Sequence, residues 1–183
     1  FIEILRGLWT QERVSYAGEF YRLDNAQLLL KPATPAPPEL FSVSTSDRGR
    51  DFVASACDWW FVELPRSDDP AEALREIERH IGDMRARAAR IGRTLRFALN
   101  PFLALGEDDR DAYETTLKQI YRFDPERAEV RMAPATRAGC IGTPAKVRAQ
   151  VGRFADMGVE LLLLKIIPTV ENLRRIGAEI VNH

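Results

Sequence analysis

Three hydroxyls stand together at Ser44-Thr45-Ser46, directly ahead of Asp47. They follow a short apolar run, Leu40-Phe41-Ser42-Val43, and precede a helical repeat carried by Phe52, Val53, Ala56 and Cys57. A helix that begins just past the carboxyl end of a buried parallel strand presents free backbone N–H groups and a partial positive charge. Serine and threonine hydroxyls added to those donors make a cradle for an anion such as phosphate. The same residue types also cap helices with no ligand present, so the sequence leaves both roles open. Little else is equipped for chemistry. Two histidines, His80 and His183, and two cysteines, Cys57 and Cys140, are scattered, with no CxxC pair and no metal-ligand spacing. No residue has a partner at a spacing that reads as a general base, and His80 is expected at the surface.

The rest of the chain must hold that turn in place. At 183 residues it is long enough for one good core, and a single domain over 1–183 is expected. A net charge of −1 leaves no basic surface for nucleic acid. The reduced look of both cysteines suits a cytoplasmic protein. No apolar run approaches the roughly 20 residues that span a bilayer, and no signal peptide is apparent. The chain starts Phe1-Ile2-Glu3-Ile4-Leu5, without methionine and already in a helical pattern, as an excerpt of a longer protein would.

Residues 1–12 read as a helix with Ile2, Leu5, Leu8 and Trp9 on one stripe. Residues 14–23 alternate around Ala17-Gly18 as a hairpin. Pro32, Pro35, Pro37 and Pro38 then forbid regular structure and deliver the chain to the strand at 40–43. Trp59-Trp60-Phe61-Val62 is a second strand. A helix capped by Asp68 or Asp69, with Pro70 at its first position, buries Leu74, Ile77, Ile81, Met84 and Ala88 and stops at Gly92. LRFALNPFLAL, from Leu95, is strand-like but interrupted at Asn100-Pro101. A helix capped by Asp108 or Asp109 carries Tyr113, Leu117, Ile120 and Tyr121, and residues 124–139, with Pro125 and Pro134, read as an irregular, mobile connection. Thr143-Pro144 starts a helix with Val147, Val151 and Phe154 inside. Val159 to Ile167 is the most apolar run and reads as a central parallel strand. Thr169 caps a last helix, with Leu173, Ile176 and Ile180 inward. Strands near 40, 59, 97 and 162, alternating with helices, predict an α/β fold with a parallel sheet.

These segments carry more than patterning. The order YxGxxY, PPELF with SxSDRGRDFVAxxxDWWF, LRFALNPFLAL and IGTPAKVRAQVGRFADMGVELLLL resembles the bacterial-luciferase-like flavin monooxygenases. Within that superfamily it is most similar to the alkanesulfonate and dimethylsulfone monooxygenase branch. The resemblance covers the whole chain but only the carboxyl-terminal half of a family member. It implies the carboxyl-terminal half, strands 5–8, of a (β/α)8 TIM barrel with a small hairpin insertion. It implies reduced FMN supplied by a separate flavin reductase, and O2 used to oxidise a small organosulfur substrate. A homo-oligomer is expected, with no nucleic acid, membrane or metal. Catalytic residues are expected in the half not present.

The family's phosphate turn reads roughly Gly-Gly-x-Ser, and its matching positions are Val43, Ser44, Thr45 and Ser46. The resemblance therefore implies FMN binding by Ser44, Thr45 and Ser46, although valine and serine replace the paired glycines. At Asn100 the sulfonate enzymes carry arginine and the sulfone enzymes asparagine, which points to a neutral sulfone-type substrate. Arg137 matches an arginine of the family's mobile loop over the site. Trp59, Trp60 and Glu63 fall on the sixth barrel strand, whose carboxyl end faces the flavin. Asn100, Arg137 and Trp60 are thus the expected substrate contacts. Two alternatives stand beside this reading: an F420-dependent oxidoreductase of the same superfamily, and a non-catalytic half-barrel that acts as a binding module or is a relic.

Overall fold

The computed structural model describes residues 1–34, 36–137 and 139–182. Pro35 of the proline run, Ala138, and His183 lie outside the described residues. The chain forms two compact units, Phe1–Leu40 and the segment from Phe41 onward.

The first unit holds helix α1 (Ile2–Thr10) and the antiparallel pair β1 (Val14–Ala17) and β2 (Arg22–Ala26). The hairpin falls where alternation places it. Its turn closes with Gly18 N–H donating to the Tyr21 carbonyl at 2.9 Å. The buried positions of α1 are Ile4 and Gly7, while Ile2, Leu5, Leu8 and Trp9 are only half-buried. Gly7 sits there because Val14 packs against it: a Cβ on Gly7 would lie 3.2 Å from a Val14 methyl.

The second unit begins with β3 (Phe41–Ser42), α2 (Asp47–Ala56), β4 (Trp59–Phe61), α3 (Pro70–Arg90) and β5 (Arg96–Leu99). It continues with β6 (Ala104–Leu105), α4 (Asp109–Phe123), α5 (Ala128–Arg137), β7 (Ile141–Gly142), α6 (Pro144–Asp156), β8 (Val159–Leu162) and α7 (Val170–Ile176). Strands β3, β4, β5 and β8 lie side by side in that order, all parallel. The helix starts obey local chemistry. Ser46, Asp69, Asp108, Thr143 and Thr169 each cap a helix by accepting an N–H from three residues on.

Alternation along β4 decides what each aromatic does. Trp60 lies edge-on to Phe97, with ring centres 6.4 Å apart, and Arg50 of α2 lies over its ring at 5.8 Å. That face therefore meets the helices. Trp59 points the other way, stacked on Phe41 at 5.1 Å and under the Arg96 guanidinium at 4.2 Å. Phe61 joins Phe41 on that second face.

Several expectations need correction. The connection read as irregular over 124–139 is helical from Pro125 to Arg137, where a 3₁₀ turn at Pro125–Arg127 leads into α5; Ala138 lies outside the described residues. Ala128, Met132 and Ala135 recur at helical spacing and pack with Ala104, Ala112, Ile120 and Ile141 in a separate apolar cluster. Pro125 begins this helical stretch instead of breaking it, because its missing N–H is one that a helix start leaves unpaired anyway. The most apolar strand, β8, lies at an edge of the sheet and not at its centre, since β5 is its one partner among the described strands. The break at Asn100-Pro101 does split the long apolar segment. Beyond it β6 pairs with β7 in a small sheet of its own. On α4 the buried side is Ala112, Thr116, Gln119 and Ile120, while Tyr113 and Tyr121 are exposed, as are Phe52 on α2 and Leu173 on α7. His80 is half-buried with an unpartnered buried Nδ1 instead of lying at the surface.

Helices α2 and α3 are joined by ions. Arg87 of α3 donates to Asp47 and Asp51 of α2, both at 2.7 Å, and to Asp83 of its own helix at 2.9 Å. Arg50 of α2 reaches back to Asp83 at 3.2 Å and to Glu63 at 3.1 Å. Partial burial works to raise the Asp83 pKa, but hydrogen bonds from Arg87 and then Arg50 outweigh it, and the carboxyl ends below its ordinary 3.8. A depressed carboxyl stabilises the fold above its unfolded-state value and loses that contribution as pH falls through the folded value.

Two outcomes follow. In urea unfolding, wild type should exceed Asp83→Asn in stability near neutral pH, and the gap should close as pH falls below 3.8 and through the depressed folded-state value; a gap independent of pH would remove Asp83 from the clamp. Trp60→Ala, which empties a fully buried site, should cost about 3–5 kcal/mol by the same measurement.

Candidate functional site

Parallel strands end on one side, so the residues just past Ser42, Phe61, Leu99 and Leu162 form a common carboxyl rim. Sites in parallel α/β folds gather there because the loops and helix N-termini do. This rim carries Ser44 to Ser46 after β3, Glu63 after β4, Asn100 after β5 and Lys165 after β8.

The serine turn is the best-formed part of it. Ser46 has extended backbone, with φ −83° and ψ 148°, and its Oγ accepts the Gly49 N–H at 3.2 Å. The Ser46 carbonyl accepts from Arg50 N at 2.8 Å and starts the helix. A hydroxyl that accepts in this way still has its own proton to donate. Gly49 carries no Cβ, and one placed there would collide with Ser44 Oγ and come within 2.9 Å of Ser46 Oγ. Both hydroxyls therefore converge over the open face of Gly49. Val43 points to solvent, 60% exposed. A glycine thus borders this turn at position 49, five residues after Ser44, the second of the positions where the family pattern has paired glycines. The sequence showed Gly49 only as a helix-interior glycine, and no local signal tied it to Ser44.

The electrostatics around the turn are set by the arginine clamp. Asp47 and Asp51 place two negative charges on the first turns of α2, and Arg87 pairs with both. These ion pairs, with that to Asp83 strongest, hold the Arg87 pKa above its ordinary value. Behind the turn Arg50 is mostly buried against Trp60 and bound to Glu63, which also takes Arg66 at 3.1 Å. Arg50 and Arg87 read in sequence as ordinary surface charges; apart from Asp83 on Arg87's own helix, their ion-pair partners are 13 to 40 residues away.

The expected substrate residues are not gathered together. Asn100 sits at the rim, half-buried, and its Oδ1 is buried with no partner among the described residues. An unpaired buried acceptor is costly and marks a place where a ligand or water completes the bonding. Trp60 is fully buried between Phe97 and Arg50, so packing takes the whole side chain. It has no surface for a substrate, and Trp59 and Phe61 hold the opposite face instead. Arg137 closes α5 and donates to Asp68 at 2.7 Å. It lines a cavity of about 540 Å³ with Tyr113, Lys146 and Gln150, and that lining includes none of Ser44, Thr45, Ser46 or Asn100. Lys165 was missed by sequence reasoning because it lies within an apolar run. Its N–H donates to the Pro101 carbonyl at 2.9 Å, and its ammonium lies 5.0 Å from the centre of the Phe102 ring.

Burial keeps the cysteines out of this chemistry. Cys57 and Cys140 are both buried, and burial pushes the Cys140 thiol up to about 12.

Known proteins resemble this chain in sequence and in fold. Two FMNH(2)-dependent dimethylsulfone monooxygenases, from Pseudomonas putida and Pseudomonas fluorescens (strain Pf0-1), are each 25% identical over 208 residues, covering 98% of this chain and 55% of theirs. The chain thus spans about half the length of these curated relatives. Among solved structures, the monooxygenase RslO1 from Streptomyces bottropensis superposes with TM-score 0.70 at 20% identity, over 100% of this chain and 59% of its own. DmoA from Hyphomicrobium sulfonivorans gives TM-score 0.67 at 16% identity, over 96% and 52%. An F420-dependent secondary alcohol dehydrogenase shares the fold as well, with TM-score 0.63 at 16% identity, over 98% and 57%. The family model for luciferase-like monooxygenases matches residues 1–161. By that match the chain belongs to the luciferase-like monooxygenase family.

Proposed function

We propose that the chain is part of an FMN-dependent monooxygenase acting on a small organosulfur compound of the sulfone type. The observation that carries this is the convergence of the Ser44 and Ser46 hydroxyls over Gly49 at the head of α2. In this reading Ser44, Thr45 and Ser46 hold the FMN phosphate, with Ser46 donating the proton its capping role leaves free. Family membership and the FMNH(2)-dependent relatives support it. Reduced FMN, delivered by a separate flavin reductase, would supply the chemistry that activates O2. The chain's own residues bind and orient. Asn100 presents an amide and not a guanidinium, which suits the neutral oxygens of a sulfone better than a sulfonate anion. Arg137 would reach a substrate only by leaving Asp68. Strands β3, β4, β5 and β8 are taken as the fifth to eighth staves of one eight-stranded barrel, with residues 1–183 as a single domain. A homo-oligomer in the cytoplasm completes the proposal. No helix among the described residues is long and apolar enough to cross a membrane.

A second reading keeps the fold and exchanges FMN for F420. The F420-dependent dehydrogenase among the structural neighbours favours it, on fold alone.

A fluorescence titration separates these readings. FMN should bind more tightly than riboflavin, and more tightly than F420; the reverse order for F420 would favour the second reading. Ser44→Ala and Ser46→Ala should each weaken FMN by about 1–2 kcal/mol, as expected for losing a hydrogen bond to a charged group. Gly49→Ala should do at least as much, because its Cβ drives Ser44 out of the turn. Unchanged dissociation constants in all three variants would sink the phosphate assignment.

A further inference from the structure

The serine turn has a charge problem, and Arg87 bears on it. Asp47 stands at the first position of α2, and Asp51 one turn further on. Their side chains are 86% and 63% exposed. Left alone, they would set two negative charges beside the place proposed for a phosphate that itself carries up to two. The helix terminus offers only about half a positive charge in compensation. Arg87, on a different helix and 14% exposed, gives a separate nitrogen to each carboxylate: Nη2 to Asp47 and Nη1 to Asp51, both at 2.7 Å. Its Nε is held by both oxygens of Asp83, at 3.0 and 2.9 Å, which fixes the fork in place. Nη1 also reaches the Asp47 backbone carbonyl at 3.4 Å. Joining two helices needs one such bridge. Here both acidic side chains of α2 are matched, and a guanidinium stays charged throughout the working pH range.

We infer that Arg87 is a positioning residue for cofactor binding, which offsets part of the negative charge of Asp47 and Asp51 so that the serine turn accepts a phosphate. The inference rests on the reading of that turn as the FMN phosphate site. Arg87 touches no part of the flavin in this scheme. It acts through the field at the head of α2, and so on the phosphate alone. An exposed field of this kind is also screened by salt.

The test compares FMN with riboflavin, which has no phosphate, in wild type and in variants of the protein at low salt. Arg87→Gln should weaken FMN about fivefold and leave riboflavin unchanged. Adding Asp47→Asn and Asp51→Asn to Arg87→Gln should restore FMN, because the uncompensated charges are then gone. Arg87→Lys, which keeps the charge but loses the fork, should fall between. Asp47→Asn alone keeps Arg87 and its other ion pairs, and so stands even where Arg87→Gln fails to fold; it should tighten FMN and not riboflavin. Equal loss of FMN and riboflavin in Arg87→Gln, or no rescue by the asparagines, would make Arg87 a plain structural clamp and overturn the inference. No change in FMN affinity with Asp47→Asn would overturn it as well. Wild type that binds FMN no better than riboflavin would overturn the phosphate reading itself, and this inference with it.

Discussion

A strand of two residues cannot hold a helix in place by itself. β3 consists of Phe41 and Ser42 alone, yet the turn that follows it must be set to within a fraction of an ångström for its hydroxyls to meet over Gly49. The missing rigidity comes from side chains. Arg87 and Arg50 tie α2 to α3 and to the end of β4, and the Trp60 ring under Arg50 joins that tie to the buried core. Such ions repay their desolvation only when nearly every donor and acceptor is matched. Here they come close: Asp83 takes both arginines and Glu63 takes Arg50 and Arg66. The Arg50 Nε remains buried with no partner among the described residues. The precision of the turn is thus an electrostatic property of three elements and not of the turn alone.

The elements legible in the sequence are those written in local chemistry. Asp69-Pro70, Thr143-Pro144 and Ser46 announce helix starts because a cap acts within three residues of itself. The four parallel strands are legible for the same reason: each is a short apolar run between a stop and a cap. The serine turn could be named, and the rim at Asn100 as well.

What could not be read is what depends on distant partners. Whether Trp59 or Trp60 faces the helices is settled by Phe97 and Arg50, not by the tryptophans. The edge position of β8 depends on strand order, which no composition reveals. Arg137 finds Asp68 69 residues away, so its sequence neighbourhood gave no hint of it. Helix α5 hid behind two prolines and a stripe of small residues, where burial comes from alanines that do not stand out as hydrophobic. Family resemblance added the cofactor expectation and marked Val43 and Ser44 as departures from its paired glycines. The close approach of Gly49 to Ser44, five residues back, has no local signal in the sequence.

The excursion between β5 and α6 leaves at Asn100-Pro101 and returns at Gly142, with its own small sheet of β6 and β7 and its own apolar cluster under α4 and α5. That arrangement gives the excursion a small core of its own beside the parallel sheet. The parallel sheet and the arginine clamp share atoms across elements, so a substitution in one demands a compensating change in another. The excursion has packing of its own, and it is tied back through Pro101 and Leu103 to Lys165, through Leu105 to Arg175 and through Arg137 to Asp68. A change inside the apolar cluster is therefore met first by the excursion's own neighbours, whereas a change in the arginine clamp is felt directly at the head of α2 and the serine turn.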